Sequence, residues 1–476
     1  MRKMKKLIAV LLIVSFVLSF GIGLNAFAAS NSNKATVYLA VANWDVKDKT
    51  ALIKLFNKAY PNIVVKFLTY DGNVNDFLTA KVSSKAQLPD IVISWESLTY
   101  PVSQGWVYPL DEFLQKDNEA KYIPKSILDS FKYGGKTYAV PVWLQFNTFV
   151  VNLDLLEELN LDAPKYNWTV DEFKKLAKSA TTDEYSGINH LWEFDTTMAG
   201  VLNKNTAQWS FDPSKHKFNL RTGGWAAAIK LQKELKAVPG LVSDDLKNDA
   251  LRKQGKEDDY QKKFGKDADA LREGKVLMGF HGTWDYGWLK TLKYKFDMYP
   301  MPNDPKIGYR QPVHADYAFM LATAKYPKEA FQLLKWLSYG TQGISARLQY
   351  LGSKKDAKGK PAPEWFVPAS SSPGVIKAFD KLSYVPGGIK YMLKNLDKTF
   401  KCDFYKTEPG WDKAVWEVIF PANEQIRQGK ADPAAIAAQI EAKANKALQL
   451  GWDDFNKKLK EAEKKFAEIR KQVSGN

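Results

Sequence analysis

Cysteine is nearly missing from this sequence. Cys402 stands alone among 476 residues, which excludes an internal disulfide and any cysteine-based metal site. Histidine is scarce too. His190, His216, His281 and His314 are the only four, and none has the H-E-x-x-H spacing that sets two imidazoles on one helix face, so a histidine metal centre is not expected. No G-x-S-x-G elbow supplies an activated serine, and no Gly-rich lysine loop cradles a phosphate. Repeats of fixed period are absent, which sets aside solenoids and propellers. No cofactor is called for by any motif.

Only one long apolar run exists, and it opens the chain. Arg2, Lys3, Lys5 and Lys6 precede an almost unbroken hydrophobic stretch from Leu7 to Leu24, and Ala26-Phe27-Ala28 puts small residues at the two positions a signal peptidase reads. Residues 1–28 are therefore expected to be an export signal cleaved before Ala29. An uncleaved anchor fits the length of the run but not its end, where basic residues would mark a stop. Cleavage removes four positive charges and no acid, so the formal charge falls from +16 to +12. The remaining chain, about 448 residues, exceeds what one hydrophobic core holds and predicts two lobes. An exported chain of that size builds enough core without disulfides.

The basic excess is spread out. Lys457, Lys458, Lys460, Lys464 and Lys465 alternate with Glu461 and Glu463, the pattern of a solvated helix face. Nucleic-acid binding would need a basic stripe or a recognisable module, and neither is present.

Short apolar runs alternate with amphipathic stretches. Thr36 to Ala42 reads as a strand. Leu52, Leu55, Phe56, Ala59 and Tyr60 recur at helical spacing until Pro61 stops them. Ile63 to Leu68, Asp90 to Ile93, Thr148 to Asn152, Val276 to Phe280 and Tyr317 to Ala322 are further strands, with Val74 to Val82 helical. Thr169 with Glu172 three residues on forms a capping box. The rhythm predicts an α/β fold with parallel sheets covered by helices. The charged stretch 252–275 is expected as a long exposed helix or a mobile excursion, 353–363 as a surface loop, and the chain from Trp411 on as helical, its last stretch from Trp452 a charged amphipathic helix packed across a lobe.

In open parallel sheets, ligands bind beyond the carboxyl ends of the strands. Asn43, Trp44 and Asp45 follow the first strand, and Trp95 and Glu96 follow the third. Trp143 and Gln145 come after an expected strand Tyr138 to Val142. His281, Trp284, Asp285 and Tyr286 follow Val276 to Phe280, and His314 and Asp316 precede Tyr317. A tryptophan beside a carboxylate or amide recurs four times. That pairing suits a carbohydrate, whose C–H faces lie on aromatic rings while carboxylates and amides fix the pattern of hydroxyls. Trp225, Trp336 and Trp452, on helical stretches, are expected to pack core instead.

Five stretches in order carry a resemblance: 89–114 (PDIVISWESLTYPVSQGWVYPLDEFL), 134–177, 271–290 (LREGKVLMGFHGTWDYGWLK), 317–343 and 411–448. Together they make the chain similar to extracellular solute-binding proteins of family 1, the maltose-binding type. The resemblance implies a two-lobed periplasmic-binding-protein-like fold (type II), each lobe a mainly parallel sheet flanked by helices. It puts the lobes at 36–145 plus 310–348 and 146–309 plus 349–476, with hinge crossovers near 141–148, 298–316 and 345–370. It also implies closure on a saccharide, delivery to the membrane permease of an ATP-driven importer, no enzymatic activity, and a monomer. By motif it carries the binding role to Trp44, Trp95, Glu96, Trp143, Gln145, Trp284, Asp285, Tyr286, Asp316 and Tyr317. Asn43, Asp45 and His314 join them from the strand ends, and Trp365 and Phe366 from the return segment. The lipid-anchoring cysteine common behind such leaders is missing here.

Two other readings compete. A secreted glycoside hydrolase or lyase would also show aromatics with carboxylates, with Asp45, Glu96, Asp285 and Asp316 as its candidates for acid and base. A surface adhesion module would lack lobe closure.

Overall fold

The structure, a computed structural model, describes residues 34–475; the export signal expected at 1–28 lies outside them. The chain opens with β1 (Ala35–Ala42), α1 (Val46–Ala59), β2 (Ile63–Tyr70), α2 (Val74–Ser83), β3 (Ile91–Ser94) and the short α3 (Thr99–Ser103). β1 pairs in parallel with β2 and with β3, as the strand–helix rhythm requires. In α1, Leu52, Ile53 and Phe56 turn inward at helical spacing onto Val37, Leu39 and Val41. Asn73 caps α2 by accepting from the backbone of Asn75 and Asp76.

The next strand decides the architecture. β4 (Val140–Asn152) runs 13 residues, far beyond the strand expected to end at Val142. Downstream come α4 (Val170–Ser179), opened by the expected Thr169–Glu172 capping box, then β5 (Ser186–Ile188), β6 (Val276–Gly282), β7 (Phe296–Tyr299) and β8 (Gln311–Met320). Residues 140–146 of β4 pair with β8, and residues 147–151 pair with β6. One strand is thus shared by two sheets, in the order β2-β1-β3-β8-β4-β6-β5. β5 and β6 are parallel, whereas β4 and β8 enter antiparallel because they run between the lobes. After α5 (Pro327–Leu337) and α6 (Thr341–Gly352), a third connection returns through β9 (Val367–Pro368), which pairs with β4 at Leu144 and Trp143. β10 (Thr399–Lys401) adds to β8 in parallel.

The cores follow this division. Phe149, Trp168, Phe173, Phe194, Phe211 and Trp225 build the core of the second lobe. The sheet of the first lobe has a core on each face, one under α1 and α5 and one around Phe131, Phe146, Tyr317 and Phe319. Stretch 252–275 is not a long helix. It takes in the end of one short helix, Asp249–Lys253, and a second, Asp259–Phe264, beside a small core of Tyr260, Ala270, Leu271 and Val276, with an Arg252–Asp258 ion pair at 2.6 Å.

After the one-turn helix α7 (Trp411–Ala414), the chain ends in α8 (Pro433–Ser474), 42 residues or about 63 Å long. It starts nineteen residues before Trp452, and its packing is divided. Ala437, Ala444 and Leu448 lie in the core of the second lobe, whereas Phe455 and Leu459 lie in a core of the first. Further along, Phe466 packs edge-on against Tyr108, and Arg470 donates to the carbonyls of Ala322 and Ala324 at 2.8 and 2.7 Å. The helix therefore straps both lobes. Its crossing point is Gly451, where a Cβ would meet the Gly410 Cα at 2.4 Å and its N at 2.5 Å. Alanine favours a helix by about 1 kcal/mol over glycine. Here backbone stands against backbone, so Gly451→Ala is expected to destabilise the protein by about 1–3 kcal/mol in urea unfolding. An unchanged or raised midpoint would mean that the helix does not pass this close. Among the described residues, no helix is long and apolar enough to cross a membrane.

Candidate functional site

Along β4 and β8, nearly every side chain is buried. The exceptions are Trp143 and Gln145 on β4 and His314 and Asp316 on β8. The strand period of two puts each pair on one face, and the register sets Trp143 opposite Asp316 and Gln145 opposite His314. These four, all expected from sequence, form an open patch on the ribbon that crosses between the lobes. They lie within strands and not beyond strand ends as anticipated, because both strands run on through the hinge. The Trp143 indole donates to Asp316 at 2.6 Å. His314 Nε2 lies 2.8 Å from Asn147 Oδ1, so the ring carries its proton on Nε2. Burial pushes this imidazole down to about 4, which keeps it neutral.

Above this floor on the first lobe, β1 exits into a 3-10 turn at Asn43–Asp45. Trp44 there is 71% exposed, and its ring centroid stands 6.1 Å from that of Trp95, which follows β3. Asn43 donates to Asp71 at 2.6 Å. Asp45 is ion-paired to the buried Lys49, whose ammonium lies 5.7 Å from the centroid of Trp143. The carboxylate of Glu96 accepts no hydrogen bond among the described residues, although its backbone carbonyl accepts one from Tyr317 at 2.7 Å. Tyr317 is itself fully buried: one residue past Asp316, it falls on the opposite face of the strand. The structure therefore makes it a support for Glu96 and not a wall of the patch.

The second lobe repeats the device. β6 exits into a 3-10 turn at Thr283–Asp285, and Trp284 there is 50% exposed, with its ring edge-on to His314 at 5.2 Å. The Thr283 hydroxyl donates to Gln145 and accepts from the backbone of Phe146, which docks this turn on the floor. His281 donates through Nδ1 to Asp285 at 3.0 Å and accepts from Asn189 at 3.3 Å. Burial acts to raise the Asp285 carboxyl, but the hydrogen bond from His281 holds it below the usual range. Tyr286 and Trp365 meet at a tilt of 54°, centroids 4.7 Å apart, and Tyr286 donates to the Tyr384 carbonyl. Phe366 is buried beneath the Arg347 guanidinium, which is wedged between it and Trp143.

Two groups escaped the sequence reading. Trp192, 70% exposed, follows β5 as Trp44 follows β1. The same rule of a tryptophan at a strand exit finds it once Ser186–Ile188 is recognised as a strand. It stands two residues past His190, whose ring meets that of His281 at 5.5 Å. The other group lies under the floor. Lys406, buried, ion-pairs with Asp316 at 2.7 Å and with Asp403 at 2.7 Å, and Asp403 also pairs with Lys401 at 2.8 Å. Trp225 and Trp336 pack core as expected, and Trp452 donates to Glu408 at 3.1 Å.

With this geometry in hand, likeness to known proteins is informative. Residues 43–338 match the family model described as bacterial extracellular solute-binding protein. An uncharacterized ABC transporter extracellular-binding protein of Pyrococcus horikoshii is 26% identical over 304 residues, 62% of this chain and 66% of that protein, just under two thirds of its length. Among solved structures, the sugar-binding protein MalE from Xanthomonas citri aligns with a TM-score of 0.64 at 14% identity, covering 89% of this chain and 99% of its own. An ABC substrate-binding protein of Listeria monocytogenes, in complex with cycloalternan, gives 0.57 at 17%, covering 89% and 98%. At such identities the two structures establish the fold alone: two lobes, as the shared β4 indicates.

Proposed function

The chain belongs to the bacterial extracellular solute-binding protein family, and from that premise we propose that it captures a carbohydrate between its lobes and delivers it to the permease of an importer. The observation that carries the sugar reading is the pair Trp44 and Trp284, each an exposed indole at a strand exit. One exposed indole comes from each lobe, each followed by an aspartate, over a floor of amide, imidazole and carboxylate. Indoles at that exposure supply flat apolar area for pyranose faces, and the floor supplies donors and acceptors for hydroxyls. The solved relatives support the same class, since one is a sugar-binding protein and another holds cycloalternan. Closure brings the two indoles onto opposite faces of the ligand, and the closed form is what the permease reads. Export through the leader at 1–28 and action as a single chain complete the proposal.

Hydrolysis is the weaker reading. A glycosidase needs one carboxyl held protonated at working pH. Asp45 is ion-paired to Lys49, Asp316 to Lys406, and Asp285 is held down by His281. Of the four candidates only Glu96 is unpaired, and one free carboxyl does not make an acid–base pair.

The mature protein is expected to show a raised melting temperature with at least one of the xylo-, cello-, malto- or manno-oligosaccharide series, without product formation. Turnover of any member would replace capture by catalysis, and a flat response to every saccharide would remove the sugar.

A further inference from the structure

Extended strands link the lobes at β4, β8 and the return through β9, and such connections absorb a hinge rotation in a few φ and ψ angles. Helix α8 is a further link of another kind, and it lies outside residues 43–338, which match the family model. An unbroken helix resists sharp bending, because a kink breaks its ladder of backbone hydrogen bonds.

The two halves of α8 are anchored independently. On the second lobe, the Asn445 side chain accepts from the Phe218 backbone at 2.7 Å and donates to its carbonyl at 3.0 Å, and Glu441 pairs with Arg221 at 3.0 Å. On the first lobe, Phe455 meets the Tyr133 ring with centroids 4.9 Å apart, and Glu463 pairs with Lys136 at 2.7 Å. Phe466 on Tyr108 and Arg470 on the carbonyls of Ala322 and Ala324 hold the far end. Between the anchors stands Gly451, the only glycine of the helix and the residue type at which helices bend most readily. Beside it a recess of about 610 Å³ has Tyr100 and Ser103 of the first lobe on one wall, Asp412 and Glu417 on another, and Leu450 and Asp454 of α8 on a third. The helix there bridges a gap between the lobes.

Trp44 and Trp284 are 71% and 50% exposed, so the cleft is open, and α8 is docked on both lobes in this open form. Closure turns one lobe against the other. The helix must then bend at Gly451 or lift its far end from Tyr108, and either costs free energy in the closed form alone. A cost confined to the binding-competent state lowers its population, and the apparent affinity falls in proportion. We infer that α8 is an elastic strap, flexed at Gly451, that holds the lobes apart and sets the affinity for ligand by opposing closure. The inference rests on the closure reading above.

Phe466→Ala/Arg470→Ala unties the far end and touches no residue of the cleft. In calorimetric titration with a saccharide chosen by the melting screen, this variant is expected to bind about fivefold tighter than the wild type or better, although it melts lower. Damage to the fold alone would leave binding unchanged or weaken it. Arg470→Ala by itself, which keeps every ring in place, is expected to show part of the gain. Lys457→Ala/Lys464→Ala, exposed on the same helix and free of partners among the described residues, is expected to stay within about twofold of the wild type. Unchanged or weaker binding by the untied variants overturns the strap and leaves sugar capture standing. So does a gain of equal size in the lysine variant, or a wild type whose small-angle scattering does not contract with ligand. Binding of no saccharide by the wild type overturns the capture reading itself, and the strap with it.

Discussion

Trp44→Ala and Trp284→Ala are each expected to weaken saccharide binding about 10- to 100-fold, and the double variant by about two to four orders of magnitude, while the melting temperature of the free protein stays within a degree or two. The magnitude follows from area. An indole that goes from exposed to covered contributes about 1.5–3 kcal/mol, and every 1.4 kcal/mol is about tenfold in affinity. At 71% and 50% exposure, neither ring supports a core, and exposed substitutions usually move stability by less than about 0.5 kcal/mol. The two residues sit on different lobes and share no partner, so their effects on binding should add. Titration of the single and double variants checks this. Full affinity in the double variant would mean that the indoles do not meet ligand.

The partition between what the sequence reveals and what it hides has a physical cause. Trp44, Trp95 and Trp284 were legible because each follows an apolar run long enough to read as a strand, and position after a strand is position at the mouth. Trp192 obeys the same rule but follows only Ser-Gly-Ile, too short to announce itself. Trp143, Gln145, His314 and Asp316 were found with the wrong local reason, since polar residues seemed to end the strands that in fact continue across the hinge. Tyr317 follows Asp316 by one residue, and only the recognition of Gln311–Met320 as one continuous strand puts it on the buried face. The strap α8 was legible as helix, since the chain from Trp411 on reads as helical. That its alanine-rich first half packs on one lobe and its charged second half on the other was not. The buried Lys401, Asp403 and Lys406 were invisible, since charges in a lysine-rich chain read as surface.

That buried network carries the largest expected loss of stability, through Asp403→Ala. Asp403 is fully buried and receives Lys401 at 2.8 Å, Lys406 at 2.7 Å and the Ala315 backbone at 2.9 Å. Its removal strands the buried Lys401 ammonium and leaves Lys406 with Asp316 alone, and breaking a buried pair in this way costs about 3–5 kcal/mol, a large part of a typical fold's stability. Burial by itself would raise the Asp403 carboxyl, but Lys401 and Lys406 together hold it well below the usual carboxylate range. A carboxyl depressed on folding contributes stability that is complete above its unfolded value, about 3.9, and is lost as the pH falls below it. The wild type should therefore hold this contribution through neutral pH and shed it below about pH 4, and Asp403→Ala should lack that acid limb. Urea unfolding at pH 7 and pH 3 measures both; a variant that tracks the wild type at both values would refute the network. The loss should reach the cleft as well. With Asp403 gone, Asp316 is the one carboxylate left to Lys406, so the ammonium is drawn toward the partner of the Trp143 indole. A folded Lys401→Met/Asp403→Ala double variant, which leaves one ammonium facing Asp316, should recover part of the stability and with it the floor.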